Sequence, residues 1–169
     1  MQSIRSKHIA AAAALILFIA AAVLISTRAG HCLTLRDDAG HVYARYPMAE
    51  GDRFSVTFIH SVNQYPLTDI FEIEDGSIYV EECEYCAFGA GVQTELNPGE
   101  TMEYVEVDRY GYRGTAMLIR GIHQKRDGVR YAVGTVSDHY LQVNGTEVSL
   151  RDLCGKNAGV RFTYEFHLL

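Results

Sequence analysis

VRFTYEFHL, residues 160–168, alternates without a break: Val160, Phe162, Tyr164, Phe166 and Leu168 point one way, and Arg161, Thr163, Glu165 and His167 the other. Successive side chains of a strand face opposite sides, so a period of two predicts a half-buried strand. YLQVNGTEV, residues 140–148, predicts a hairpin about Asn144-Gly145, because a tight two-residue turn needs positive φ at both central positions. Its register sets Val143 against Thr146 and Leu141 against Val148. Asp127-Gly128 predicts a second tight hairpin, pairing Gln124 with Tyr131 and Ile122 with Val133. Further strands are predicted over 32–36, 41–46, 53–61, 67–74, 77–84 and 101–107, broken at Asp37-Asp38, Glu50-Gly51-Asp52, Asp75-Gly76 and Asn97-Pro98-Gly99. Short strands with turn signals every eight to twelve residues or so make an all-β fold, an antiparallel β-sandwich or partly closed barrel.

The N-terminal end has a different composition. Arg5 and Lys7 precede an apolar run from Ile9 to Ser26, Arg28 closes it, and no acid appears before Asp37. Such a run rises roughly 27 Å as a helix, near the thickness of a bilayer's hydrocarbon core. Residues 1–28 are therefore predicted to be a transmembrane anchor or a signal segment, and 29–169 a single extracytoplasmic β domain. The leading positive charges favour an N-terminus kept in the cytoplasm. The domain would then be membrane-anchored, or secreted if the segment is cleaved after a small-residue exit near Thr27-Arg28-Ala29.

Of the 15 basic residues, Arg5, Lys7 and Arg28 lie in that segment. The remainder has 12 against 21 acids, a formal charge of −9. That field repels phosphate backbones, so no nucleic-acid partner is expected; a cation or a basic protein face suits it better. The four cysteines, in an oxidising compartment, allow two disulfides. Cys32 with Cys154 would tie the domain's beginning to its end, and Cys83 with Cys86 would close locally. A redox pair or half a zinc site at Cys83/Cys86 lacks a helix start or further soft ligands. No metal and no cofactor is predicted.

Polar residues gather in FIHSVNQYPLTDIFEI, residues 58–73. On the predicted strand Phe54, Val56, Phe58 and His60 share one face; Ser55, Thr57, Ile59 and Ser61 share the other. His60 is thus poorly placed to activate Ser61, and no Gly-x-Ser-x-Gly elbow presents a serine. Asp69, on the returning strand with Phe71 and Ile73, is the acid expected to meet His60, either as a buried pair or at a ligand site. Gly89 and Gly91, in Phe88-Gly89-Ala90-Gly91, permit a bulge or close backbone approach near that hairpin. His60, Ser61, Asp69, Glu72, Gly89 and Gly91 form the candidate binding or structural site, with no catalytic residue assigned.

His60-Ser61-Val62, Pro66, Asp69 and Phe71, followed by Phe88-Gly89-Ala90-Gly91, resemble the hallmark of a bacterial family, domain of unknown function number 1850. The resemblance is strong over residues 50–95. Asn63-Gln64 replace the usual acid and base, Asp69 stands where glutamate is commoner, and Cys83 and Cys86 are additions. The resemblance implies a small exported or membrane-anchored protein associated with a tripartite ATP-independent periplasmic transporter. It implies an accessory role; together with the anchor, the acidic surface and the absent nucleophile it makes a non-enzymatic module the leading expectation, with the permease, the substrate-binding protein or a small ligand as partner. Two alternatives stand beside it. One is a hydrolase or isomerase using His60 and Asp69 as an acid–base pair; the other is a cation-binding module using Asp69, Glu72 and Glu95.

Overall fold

The alternating C-terminal stretch becomes a strand whose first half faces a core. The computed structural model describes residues 14–19, 29–60, 64–87 and 95–168. By its contacts the chain divides into residues 1–31 with 166–169, and residues 32–165. In the first unit residues 14–19 are helical, and His31 meets Phe166 edge to face at 5.4 Å. No helix among the described residues is long and apolar enough to cross a membrane. Most of the predicted anchor, with Ser61, Gly89 and Gly91, lies outside the described residues.

The strands are β1 (Ala29–Arg36), β2 (Val42–Pro47), β3 (Arg53–Ile59), β4 (Pro66–Glu74), β5 (Ser77–Tyr85), β6 (Thr101–Arg109), β7 (Tyr112–Lys125), β8 (Arg130–Ala132), β9 (His139–Val143), β10 (Thr146–Ser149) and β11 (Gly159–Leu168). A short helix, α1 (Leu150–Cys154), is capped by Ser149, whose hydroxyl accepts the Asp152 N–H. The strands form a four-stranded sheet ordered β2-β1-β11-β8 and a seven-stranded sheet ordered β10-β9-β3-β4-β5-β7-β6. The fold is all-β and mostly antiparallel, in two sheets rather than a closed barrel.

The main core holds Leu33 and Leu35 of β1, Phe54 and Val56 of β3, Phe71 and Ile73 of β4, Leu141 and Val143 of β9, and Val160 and Phe162 of β11. Phe54 stacks on Phe71 at 4.8 Å and on Phe162 at 5.9 Å, so one aromatic pile draws on both sheets. Burying a large apolar side chain stabilises by about 1.5–3 kcal/mol. The β11 row leaves the core as it proceeds: Val160 and Phe162 are fully buried, whereas Phe166 and Leu168 are 58% and 72% exposed.

The Asn144-Gly145 hairpin has the expected register, Val143 against Thr146 and Leu141 against Val148. The Asp127-Gly128 hairpin does not form. β7 is flanked by β5 and β6, with Gln124 opposite Val80. β8 pairs with β11 instead, Tyr131 opposite Val160. The turn carries the chain from one sheet to the other, held where Asp127 accepts the Ile78 N–H at 2.9 Å and the Arg126 N–H reaches the Ile78 carbonyl at 2.7 Å.

The strand expected over 101–107 forms as β6, and its unanticipated hairpin with β7 turns at Tyr110 and Gly111, with φ of 52° and 79°. Its tip lies over the outer face of the large sheet. Tyr110 stacks on Tyr140 at 4.5 Å and donates to Glu147 at 2.6 Å. Arg109 donates to Glu84, and to Thr68 at 3.0 Å. Beneath it Tyr140, Thr57, Thr68 and Glu84 make one cross-strand row. Thr57 and Thr68, whose hydroxyls bond at 2.9 Å, and Glu84 are therefore buried.

The predicted disulfides are absent, and all four cysteines are free thiols. Cys83 lies within β5, whereas Cys86 follows in the bend after the strand ends at Tyr85. Cys83 bonds with Asp69, and Cys86 with Tyr112. Cys32 alternates with the core residues Leu33 and Leu35, whereas Cys154 packs against that core from α1. Burial raises the Cys86 and Cys154 thiols to about 11.

Candidate functional site

Strand register decides which polar groups meet. The His60 N–H donates to the Tyr65 carbonyl at 2.9 Å, and the Gln64 N–H to the His60 carbonyl at 2.9 Å. His60 therefore closes the β3–β4 connection. From there the pairs run Ile59 with Pro66, Phe58 with Leu67, Thr57 with Thr68 and Val56 with Asp69. Asp69 lies on the predicted face but opposite Val56. Four residues of strand, roughly 13 Å, separate its row from His60. The expected His60–Asp69 pair does not form, and the acid–base reading built on it loses its geometry.

Asp69 has other partners. Its row across the large sheet is Leu141, Val56, Asp69, Cys83 and Ile119, one carboxyl among apolar neighbours and a thiol. Tyr131 reaches over from β8 and donates its hydroxyl to Asp69 Oδ2 at 2.6 Å. Burial raises the Asp69 carboxyl above its ordinary range, against the opposing effect of the Tyr131 and Cys83 bonds. Burial, with Asp69 next to them, pushes the Tyr131 hydroxyl and the Cys83 thiol well up. Tyr131 thereby ties the small sheet to the large one, and a hydroxyl and a thiol whose protons are held this firmly are not poised as nucleophiles.

The next row along the same face is His139, Phe58, Leu67 and Tyr85. The His139 ring stacks on Phe58 at 5.1 Å and meets the Tyr131 edge at 5.9 Å. Burial lowers its pKa, disfavouring the charged imidazole, against the opposing effect of Asp138. Its Nδ1 accepts the Gly134 N–H at 3.4 Å, which leaves Nε2 as the donor. His139 was not anticipated. The one sequence signal is parity, since it alternates in step with Leu141 and Val143.

Between these residues opens the pocket. Among the described residues, Phe58, Ile59, His60 and Gln64 on one side, and Gly134–Ser137 with His139 on the other, line a half-open cavity of about 560 Å³. Its second wall is fixed by α1. Asp138 accepts the Arg151 N–H at 3.0 Å and the Ser149 hydroxyl at 2.5 Å, and Arg151 donates to the Gly134 carbonyl at 3.1 Å. At Gly134 a Cβ would stand 2.3 Å from the Ser137 carbonyl oxygen, so only glycine fits this loop. No Lys or Arg side chain is among the lining residues. Two imidazoles, an amide and two hydroxyls beside an apolar wall suit a small ligand without strong charge.

Of the predicted site residues that are described, His60 alone lines the cavity. Asp69 sits between the sheets, and Glu72 faces outward opposite Arg53, which lies 3.5 Å away. Asp69 and Glu72 are thus on opposite faces of β4, and among the described residues they do not converge with Glu95.

A family model described as "Domain of unknown function (DUF1850)" matches residues 54–150, more than half of the chain. The matched span contains both walls of the cavity, Tyr131 and Asp69. No curated protein and no solved structure matches the chain.

Proposed function

The chain belongs to the DUF1850 family, and from that premise we propose that it is a non-enzymatic, extracytoplasmic binding module held at the membrane by residues 1–28. Its role is accessory to a tripartite ATP-independent periplasmic transporter, whose permease or substrate-binding protein is its partner. One observation carries the binding role: the half-open cavity between His60 and His139, with a glycine-dependent wall and no fixed charge among the described lining residues. The apolar N-terminal run and the excess of acids over bases after it support the location.

Affinity purification of the full chain from native membranes in mild detergent tests the reading. The expected result is co-purification of a transporter component, weakened by Gly134→Ala, whose new Cβ displaces the cavity wall. Purification without any transporter component sinks the accessory role. A C-terminal alkaline phosphatase fusion should be active, and an inactive but stable fusion contradicts the location.

A further inference from the structure

On the surface of the large sheet, away from the cavity, the side chains of Glu74, Glu81 and His123 converge. Glu74 ends β4. Glu81 falls where the β5–β7 register shifts between Val80 and Glu82, and His123 lies in the matching irregularity of β7. The two irregularities aim both side chains at one point. His123 Nδ1 is 2.8 Å from Glu81 Oε1 and 3.6 Å from Glu74 Oε2. Tyr79 stacks on the imidazole at 4.9 Å and 16°, fixing its plane.

We propose that Glu74, Glu81 and His123 form a surface site for a divalent transition-metal ion, with zinc the best fit. Two atoms each about 2.1 Å from a common ion can be no more than about 4.2 Å apart. Both distances from the imidazole nitrogen satisfy that limit. All three ligand atoms lie within 4.8 Å of one another, so a small rotation of the half-exposed Glu74 side chain completes the set.

Charge supplies a second argument. Even a protonated His123 would leave two carboxylates with a net negative charge, whereas a divalent ion neutralises them. Nearby cations are engaged elsewhere: Arg53 with Glu72 and Glu82, Arg120 with Glu103, and Lys125 with Asp127. Among the described residues, no Lys or Arg makes an ion pair with Glu74 or Glu81. An imidazole with two carboxylates favours zinc or manganese over calcium, which takes oxygen ligands only. Three protein ligands leave a coordination position open to water or to a group on another protein.

The test is calorimetric titration of Zn²⁺ into the untagged, chelator-treated full chain in detergent micelles with a non-chelating reductant. One ion per chain is expected. Affinity should fall at least tenfold in His123→Ala and in Glu81→Gln, and stay unchanged in His41→Ala, which alters a distant surface imidazole. It should also weaken as pH drops from 7.5 to 6, when protons compete for Nδ1. Should one of the two variants misfold by circular dichroism, Glu74→Gln replaces it, with the same tenfold loss expected. Absence of stoichiometric binding, or binding that survives the His123 and glutamate substitutions, shows an ordinary ion pair and overturns the site.

Discussion

Asp69 is a carboxyl set in a row of apolar side chains, and a tyrosine from the other sheet makes that tolerable. Tyr131→Phe removes the donor while keeping the ring, so the expected loss is about 1–3 kcal/mol, the cost of an abandoned buried partner. The sign of the pH effect follows from burial. Unfolded, Asp69 releases its proton near pH 4 or so. Folded, it does so at higher pH, because burial disfavours the charge. Between those values the folded state holds more protons. The Asp69 contribution is therefore fully present below the unfolded value, declines as pH rises through the folded value, and stays lower beyond it. Asp69→Asn keeps an acceptor for Tyr131 and removes the titration. Urea midpoints from pH 4 to 8 should show less decline in the variant than in the parent; identical slopes would refute the assignment.

Among the elements, the β6–β7 hairpin shows where local rules end. Asn144-Gly145 was legible because both residues tolerate positive φ, and β11 because its alternation is unbroken. Tyr110 takes a positive φ that its own chemistry does not favour. Its reward is tertiary, the ring on Tyr140 and the bond to Glu147. Asp127-Gly128 was read correctly as a turn and wrongly as a hairpin, because turn residues do not reveal that both edges of β7 are already taken. The same limit governs the site. Parity placed Asp69 on the inner face, but only the His60–Tyr65 closure fixes its register, four residues from the histidine. His139 entered beside Phe58 through a non-sequential strand pairing, which no local signal encodes. Tyr110→Ala should cost about 2 kcal/mol, from an aromatic pair and a hydrogen bond to a charged acceptor discounted for partial exposure. Tyr140→Ala in the same background should then cost less than alone. Additive losses in chemical denaturation would mean that the tip does not brace the sheet.

At the scale of the whole molecule, the two sheets share both a polar tie and an aromatic one. Tyr131 carries the first, and the Phe54–Phe71–Phe162 pile the second. The cavity depends on both. Its His60 wall closes a hairpin of the large sheet, while its Gly134–Ser137 wall is the path from β8 to β9, from the small sheet to the large one. If the sheets could melt separately, that path would loosen first and the pocket would be lost below the main transition. The packing argues otherwise, since Phe162, Val160, Leu33 and Leu35 of one sheet share a single core with Phe54, Phe71 and Leu141 of the other. Phe162→Ala should therefore lower global stability by about 3–5 kcal/mol, the usual cost of an aromatic cavity. It should shift the urea midpoint without changing the slope, because the same surface is exposed when everything unfolds together. Far-UV circular dichroism and tyrosine fluorescence should trace the same curve in parent and variant. Two separated transitions in the variant would show that the sheets are independent, and would remove the reason for treating the cavity as a rigid, preformed site.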